Sequence, residues 1–236
     1  MVHAKEWRFI TDDDPSLYNS FFRIFLREVR LAEAHHFIAH IDKSKSRQDA
    51  YKEYQEGRKE LTAWGISNDI VGTSISRIAY LKLKSQLKNH EFHDEVIENG
   101  KTYRKWGTNK ITHPFPSIDQ GWYKVSTTTD LSSYEPKDIA KMVLQVNDKS
   151  TNAFMQQIRR RINILERPLV TARGDGKSYI YANFNPRYAQ YALTILRTFY
   201  NFCYPFKMGS KERLTPAQRL GLTDKQFTIE DIIYFK

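Results

Sequence analysis

Apolar residues recur at helical spacing through residues 151–165. At about 100° per residue, Phe154, Ile158, Ile162 and Leu165 fall on one stripe, while Arg159, Arg160 and Arg167 point away from it. The pattern predicts an amphipathic helix with one core-facing side and one cationic side. Pro168 is its expected end, because proline lacks an amide hydrogen and disfavours helical geometry in the residue before it. Elsewhere the period alternates between helix and strand. Trp7 to Thr11 reads as a short strand ending in Asp12, Asp13, Asp14 and Pro15, followed by an amphipathic run over residues 17–31. Residues 34–41 predict a second strand, with His36 and His40 on one face and Phe37, Ala39 and Ile41 on the other.

A charged helix should follow to Trp64, carrying Ala50, Tyr54, Leu61 and Trp64 and closed by Gly65. A basic amphipathic helix is expected over residues 75–90. Residues 100–120 carry Gly, Pro, Thr and isolated aromatics without a period and read as an irregular insertion. Residues 122–129 form a β-rich run ending at Asp130. A helix from Pro136, a short apolar run at 142–146 and the arginine helix come next. Asn185-Pro186 opens a helix whose core stripe is Ala189, Ala192, Leu193, Leu196, Phe199, Tyr200 and Cys203. Thr215 and Thr228 are natural N-caps of two short helices near the end. This order predicts a mixed α/β protein in four parts: a strand–acid–helix–strand segment (1–45), a helical and irregular insertion (46–120), a continuation of the core with the basic helix (121–205) and a tail (206–236).

Charge changes the picture more than composition does. The formal net charge is +10. Residues 151–236 hold fourteen Lys/Arg against six Asp/Glu, and residues 1–150 hold 23 against 21. The cationic character therefore belongs to the last third, and a polyanion, DNA first, is the expected partner, since phosphate neutralisation releases counterions whatever the sequence. Arg159, Arg160, Arg167, Arg173 and Lys177 are the candidate phosphate contacts, guanidinium matching phosphate geometry bidentately. Tyr179, Tyr181, Phe184, Tyr188 and Tyr191 could stack on bases, but at this density the default expectation is core. One cysteine, Cys203, rules out an intramolecular disulfide and a cysteine-based zinc ribbon. No apolar run approaches the ~18 residues of a membrane span, so a soluble, cytoplasmic protein with no membrane partner and no small-molecule substrate is expected.

Carboxylates delivered from separate elements could hold two divalent cations for phosphodiester chemistry. The candidates are Asp12 (or Asp13, Asp14), Asp130 and Glu166, with 35 residues between the last two. Hard oxygen ligands suit Mg²⁺ or Mn²⁺. For the acids after the first strand, the competing reading is that Asp13 or Asp14 caps the helix. His36 and His40 lack a third ligand nearby and read as buried or edge histidines. His90-Glu91-Phe92-His93 is one residue short of the helical zinc-binding spacing and is set aside.

Three segments, RFITDDDPSLYNSFF with AHHFIAHIDK, then NAFMQQIRRRINILERPLVTAR, then LRTFYNFCYPF with LTPAQRLGL, resemble the C-terminal part of bacterial insertion-sequence transposases of the DDE, ribonuclease-H-like superfamily. The resemblance covers about half of the chain. It implies Mg²⁺-dependent DNA strand cleavage and transfer, nucleoid association, and a second copy of the chain or a parent transposase as partner. Two alignments are open. In one, Asp12 is the second catalytic aspartate, the first lies upstream of Met1, and the helix start that should carry the glutamate holds Met155, Gln156 and Gln157, which makes the chain a truncated or inactive relative. In the other, Asp12, Asp130 and Glu166 form the triad, although Glu166 sits near the end of its helix rather than the start.

Overall fold

The computed structural model describes residues 7–106, 109–162, 165, 169–170, 177–178, 185–207 and 212–234. The chain divides into two units, Glu6–Asn147 and a second one containing Asp148–Lys236.

In the first unit, β1 (Trp7–Asp12), α1 (Pro15–Arg30) and β2 (Ala34–Ile41) build a parallel strand–helix–strand motif, with Trp7 opposite Ala34 and Asp12 opposite Ala39. The motif forms because its stop and start signals are local. The Asp14 carboxylate accepts the Ser16 N–H at 2.8 Å and caps α1, Pro15 occupies the first turn, and Ala32 turns the chain at φ 54°. Phe21, Phe25 and Val29 of α1 then cover Trp7, Phe9 and Ala34 on one sheet face. The Phe9 ring lies 4.9 Å from Phe21 and 4.6 Å from Phe25, within the range of favourable aromatic pairs.

Next come α2 (Arg47–Ser67) and α3 (Ile75–Gln86), the latter extended by a 3-10 turn at Leu87–Asn89. Gly65, the expected end of α2, lies inside it. A Cβ there would stand 2.9 Å from Ile78 Cδ1, so the residue is a close-approach glycine between α2 and α3 rather than a stop. Residues 100–120, expected to be irregular, contain two strands, the first of them the second half of a hairpin that begins upstream. β3 (His93–Glu98) and β4 (Lys101–Trp106) pair antiparallel about Asn99 and Gly100, both at positive φ, and β5 (Ile111–Thr112) follows.

β6 (Tyr123–Thr127) completes a four-stranded sheet in the order β1-β2-β6-β5, antiparallel to both neighbours. α4 (Pro136–Leu144) takes in most of the apolar run expected at 142–146. Leu83 of α3, Leu87, and Ile139, Ala140 and Val143 of α4 pack on Phe37, Ala39, Ile111, Tyr123 and Val125 to form the main core. The unit is thus a mixed sheet with α1 on one face and α3 and α4 on the other, in agreement with the expected α/β class.

The second unit contains α5 (Lys149–Arg161), a β7 (Leu169–Val170) and β8 (Lys177–Ser178) pair, α6 (Pro186–Thr198), a π turn at Phe199–Cys203, a β9 (Phe206–Lys207) and β10 (Arg213–Leu214) pair, α7 (Pro216–Arg219) and α8 (Ile229–Ile233). α5 ends at Arg161, one turn and more before Pro168. Ile162 leaves helical geometry (φ −119°, ψ 88°) to bury its side chain, and Arg159, Arg160 and Arg161 occupy the last turn, where cations complement the helix dipole. Around Tyr200 an aromatic cluster ties these pieces together: Phe154 at 5.1 Å, Phe206 at 5.7 Å and Tyr204 at 6.4 Å between ring centroids. Both expected threonine caps form full capping boxes, Thr215 with Gln218 and Thr228 with Asp231. Thr215 is also fully buried. Thr215→Ala should therefore lower stability by about 1–2 kcal/mol, read as a lower denaturant midpoint at unchanged slope.

Candidate functional site

The three acids after β1 have three different partners. Asp14 is held by its cap, and the bond from Ser16 keeps its carboxyl below the usual range. Asp12, half exposed, lies 3.6 Å from Lys43 Nζ. Asp13 lies 2.6 Å from Nδ1 of His40, whose Nε2 is 2.7 Å from Ser126 Oγ on β6, and Lys110 Nζ is 3.1 Å from the same Nδ1. A carboxylate, an imidazole and a hydroxyl in this order can relay a proton to activate a nucleophile. Here Ser126 is 5% exposed in mid-strand, so its hydroxyl is not presented to a substrate and the chain of bonds joins β1, β2 and β6.

His36, four residues back along the same face of β2, is buried without charge. Its ring bonds Thr11 Oγ1 at 3.0 Å and Thr128 Oγ1 at 2.9 Å and stacks on Phe21 at 4.1 Å. Burial lowers its pKa to about 4. His36 is thus buried, whereas His40 is partly exposed on a central strand.

Asp130 does not join this cluster. β6 runs antiparallel to β2, with Thr127 opposite Phe37, and Thr129 donates to the Ala34 carbonyl at 3.2 Å. Asp130 therefore lies at the Ala34 end of the sheet, whereas Asp12 lies at the Ala39 end. Five residues of strand separate the two levels, about 16 Å at ~3.3 Å per residue. That is roughly four times the spacing of a two-metal pair, so Asp12 and Asp130 do not share a metal site. The two strands each deliver an aspartate, as the sequence indicates, but in opposite directions.

Asp130 accepts the Ser132 N–H at 3.0 Å and pairs with Arg104 at 3.3 Å. Burial raises its carboxyl, and the bonds from Ser132 and the Arg104 charge outweigh that, leaving it below the usual range. Glu166, Arg167 and Arg173 lie outside the described residues, and Lys177 is described only as part of β8. Among the described residues no three His, Cys, Asp or Glu side chains are placed to hold a metal ion together.

No family model, curated protein or solved structure matches the chain. The cationic and aromatic side chains of the second unit divide clearly. Arg161 is engaged: its Nε donates to Gln157 at 2.7 Å and its guanidinium lies over Tyr204 at 5.1 Å. Arg160 is exposed and Arg159 partly so, and among the described residues neither is in an ion pair. Arg187 and Arg197 on α6 are exposed too. Tyr188 and Tyr191, assigned by default to the core, are 63% and 54% exposed. The signal is present in the sequence: both lie off the stripe through Ala189, Leu193 and Leu196 that faces inward. Among the described residues no helix is long and apolar enough to cross a membrane.

Proposed function

We propose that the chain is a DNA-binding protein of transposase type that holds DNA through its second unit and carries out no strand transfer with the acids named above. The observation that carries the reading is the uneven charge: fourteen Lys/Arg against six Asp/Glu in residues 151–236, with Arg159 and Arg160 available at the end of α5. In this reading the first unit is a remnant of a ribonuclease-H-like core, and the outward arginines contact phosphates as hydrogen-bond donors and charges. The separation of Asp12 from Asp130 supports the non-catalytic alternative over the active enzyme, in which Asp12, Asp13, Asp130 and Glu166 would have to gather Mg²⁺ or Mn²⁺. Partners follow from the same reading: DNA first, then a second copy of the chain or a related transposase.

The test uses the full chain and a duplex of about 20 bp, long enough to span several phosphate contacts. Wild type should bind it, and Arg159→Ala with Arg160→Ala should weaken binding roughly tenfold, because two phosphates are no longer neutralised. Binding should persist in EDTA, and supercoiled DNA should stay intact with Mg²⁺ or Mn²⁺. Nicking that disappears in both Asp12→Asn and Asp130→Asn would restore the catalytic reading and refute this one.

A further inference from the structure

We infer that the outer face of α6 is a stacking platform for single-stranded DNA, an inference that rests on the DNA-binding reading and specifies which form of DNA this face takes. Arg187, Tyr188, Tyr191 and Ile195 fall within an arc of about 100° on the helix surface. Tyr188, Tyr191 and Ile195 are 63%, 54% and 70% exposed. The opposite face, with Leu196 buried and Ala189 and Leu193 half-buried, does the packing. Exposed to this degree, the outer side chains contribute little buried area to the fold. Two large rings and an isoleucine in water beside the exposed Arg187 guanidinium form an apolar surface with a cationic edge, in the unit that holds most of the net positive charge.

Charge complementarity selects a polyanion, and ring geometry selects its form. The Tyr188 and Tyr191 rings are 6.4 Å apart and nearly perpendicular, at 80°. Duplex bases, about 3.4 Å apart along each strand, have both π faces covered by their neighbours. A single strand can separate its bases, lay one against each ring and bring the intervening phosphate to Arg187, which is how sequence-tolerant single-strand binders combine stacking with charge. Tyrosine suits this role because the ring carries the stacking energy and the hydroxyl stays hydrated.

Fluorescence anisotropy with a labelled thymidine oligomer and a blunt duplex, both on the full chain, tests the assignment. Tyr188→Ala with Tyr191→Ala should weaken oligothymidine binding roughly tenfold or more, since two bases no longer stack on a ring, and leave duplex binding unchanged. Tyr188→Phe with Tyr191→Phe should bind both like wild type, because only the rings are used. Oligothymidine affinity unchanged in the alanine pair, with unchanged circular dichroism, would overturn the platform. Equal losses on both DNAs would overturn it as well, by showing a general effect on the unit. If wild type binds neither DNA, the broader DNA-binding reading falls; if wild type binds both and the alanine pair is indifferent, only the platform falls.

Discussion

Gly121→Ala is expected to destabilise the first unit by on the order of 3 kcal/mol, two to three times the cost of the same change at Gly100. Both glycines sit at positive φ, 69° and 71°, where an L residue is strained by roughly 1–2 kcal/mol. Their surroundings differ. Gly100 has open space around it, whereas a Cβ on Gly121 would overlap Glu53 Oε2 and come within 3.3 Å of the Ala50 backbone. Glu53 cannot yield without loss. It accepts the Trp122 N–H at 2.7 Å and pairs with Lys45 at 2.8 Å, and the Lys45 contact, followed by the Trp122 bond, holds its carboxyl below the usual range against the upward push of burial. Pushing it aside leaves a part-buried amide without its acceptor, a further cost of about 1–3 kcal/mol. Thermal unfolding should show Gly121→Ala lower by roughly 10 °C and Gly100→Ala by only a few degrees. Equal shifts would mean that backbone strain alone decides, and that the Glu53 contact does not fasten residues 113–122 to α2.

The second large effect is acid lability. His36 and His113 are both buried, with pKa values lowered from 6.5 to about 4, desolvation being the first cause in each. His113 stacks on Tyr123 at 4.5 Å, with its Nδ1 against the backbone of Phe115. In the unfolded chain these rings bind protons near the ordinary value, so between pH 6.5 and 4 the unfolded state holds more protons than the native one. Their contribution is complete above about pH 6.5 and is lost as the pH falls towards 4, on the order of 3 kcal/mol for each ring. Denaturant unfolding across this range should show the decline. Ring proton shifts by NMR should show both histidines still neutral at pH 5 in the folded protein. Titration of both near 6.5 would contradict the buried, uncharged assignment.

What is legible in the sequence is whatever is decided locally. The strand, aspartate cap and proline before α1, the Asn185-Pro186 start of α6 and the capping boxes at Thr215 and Thr228 involve residues within four positions of one another, and each stands where it is expected. The β3–β4 hairpin escapes the periodicity although Asn99-Gly100 is a strong turn signal. Its strands are charged and mostly solvent-facing, Ile97 and Tyr103 included, so there is little apolar alternation to detect. Gly65 reads as a stop because a packing glycine and a helix-ending glycine are identical until the neighbouring helix is in place.

The separation of Asp12 from Asp130 escapes the sequence for a related reason. A strand ending in aspartate is visible in sequence at both Asp12 and Asp130, but whether two strands run parallel or antiparallel depends on long-range pairing. β2 pairs parallel with β1 and antiparallel with β6, which sends the two acids to opposite ends of one sheet. The tyrosines of α6 are the converse case: the helical period already sets Tyr188 and Tyr191 apart from the core stripe, and the count of aromatics obscures it.

DNA binding by phosphate neutralisation at the second unit is tested most directly by the salt dependence of duplex binding by the full chain, from about 50 to about 300 mM monovalent salt. If four or five phosphates are neutralised, the logarithm of the association constant should fall with the logarithm of salt concentration at a slope near −4, and Arg159→Ala with Arg160→Ala should make that slope shallower by about 2. A flat dependence, or a slope that those substitutions leave unchanged, would contradict it.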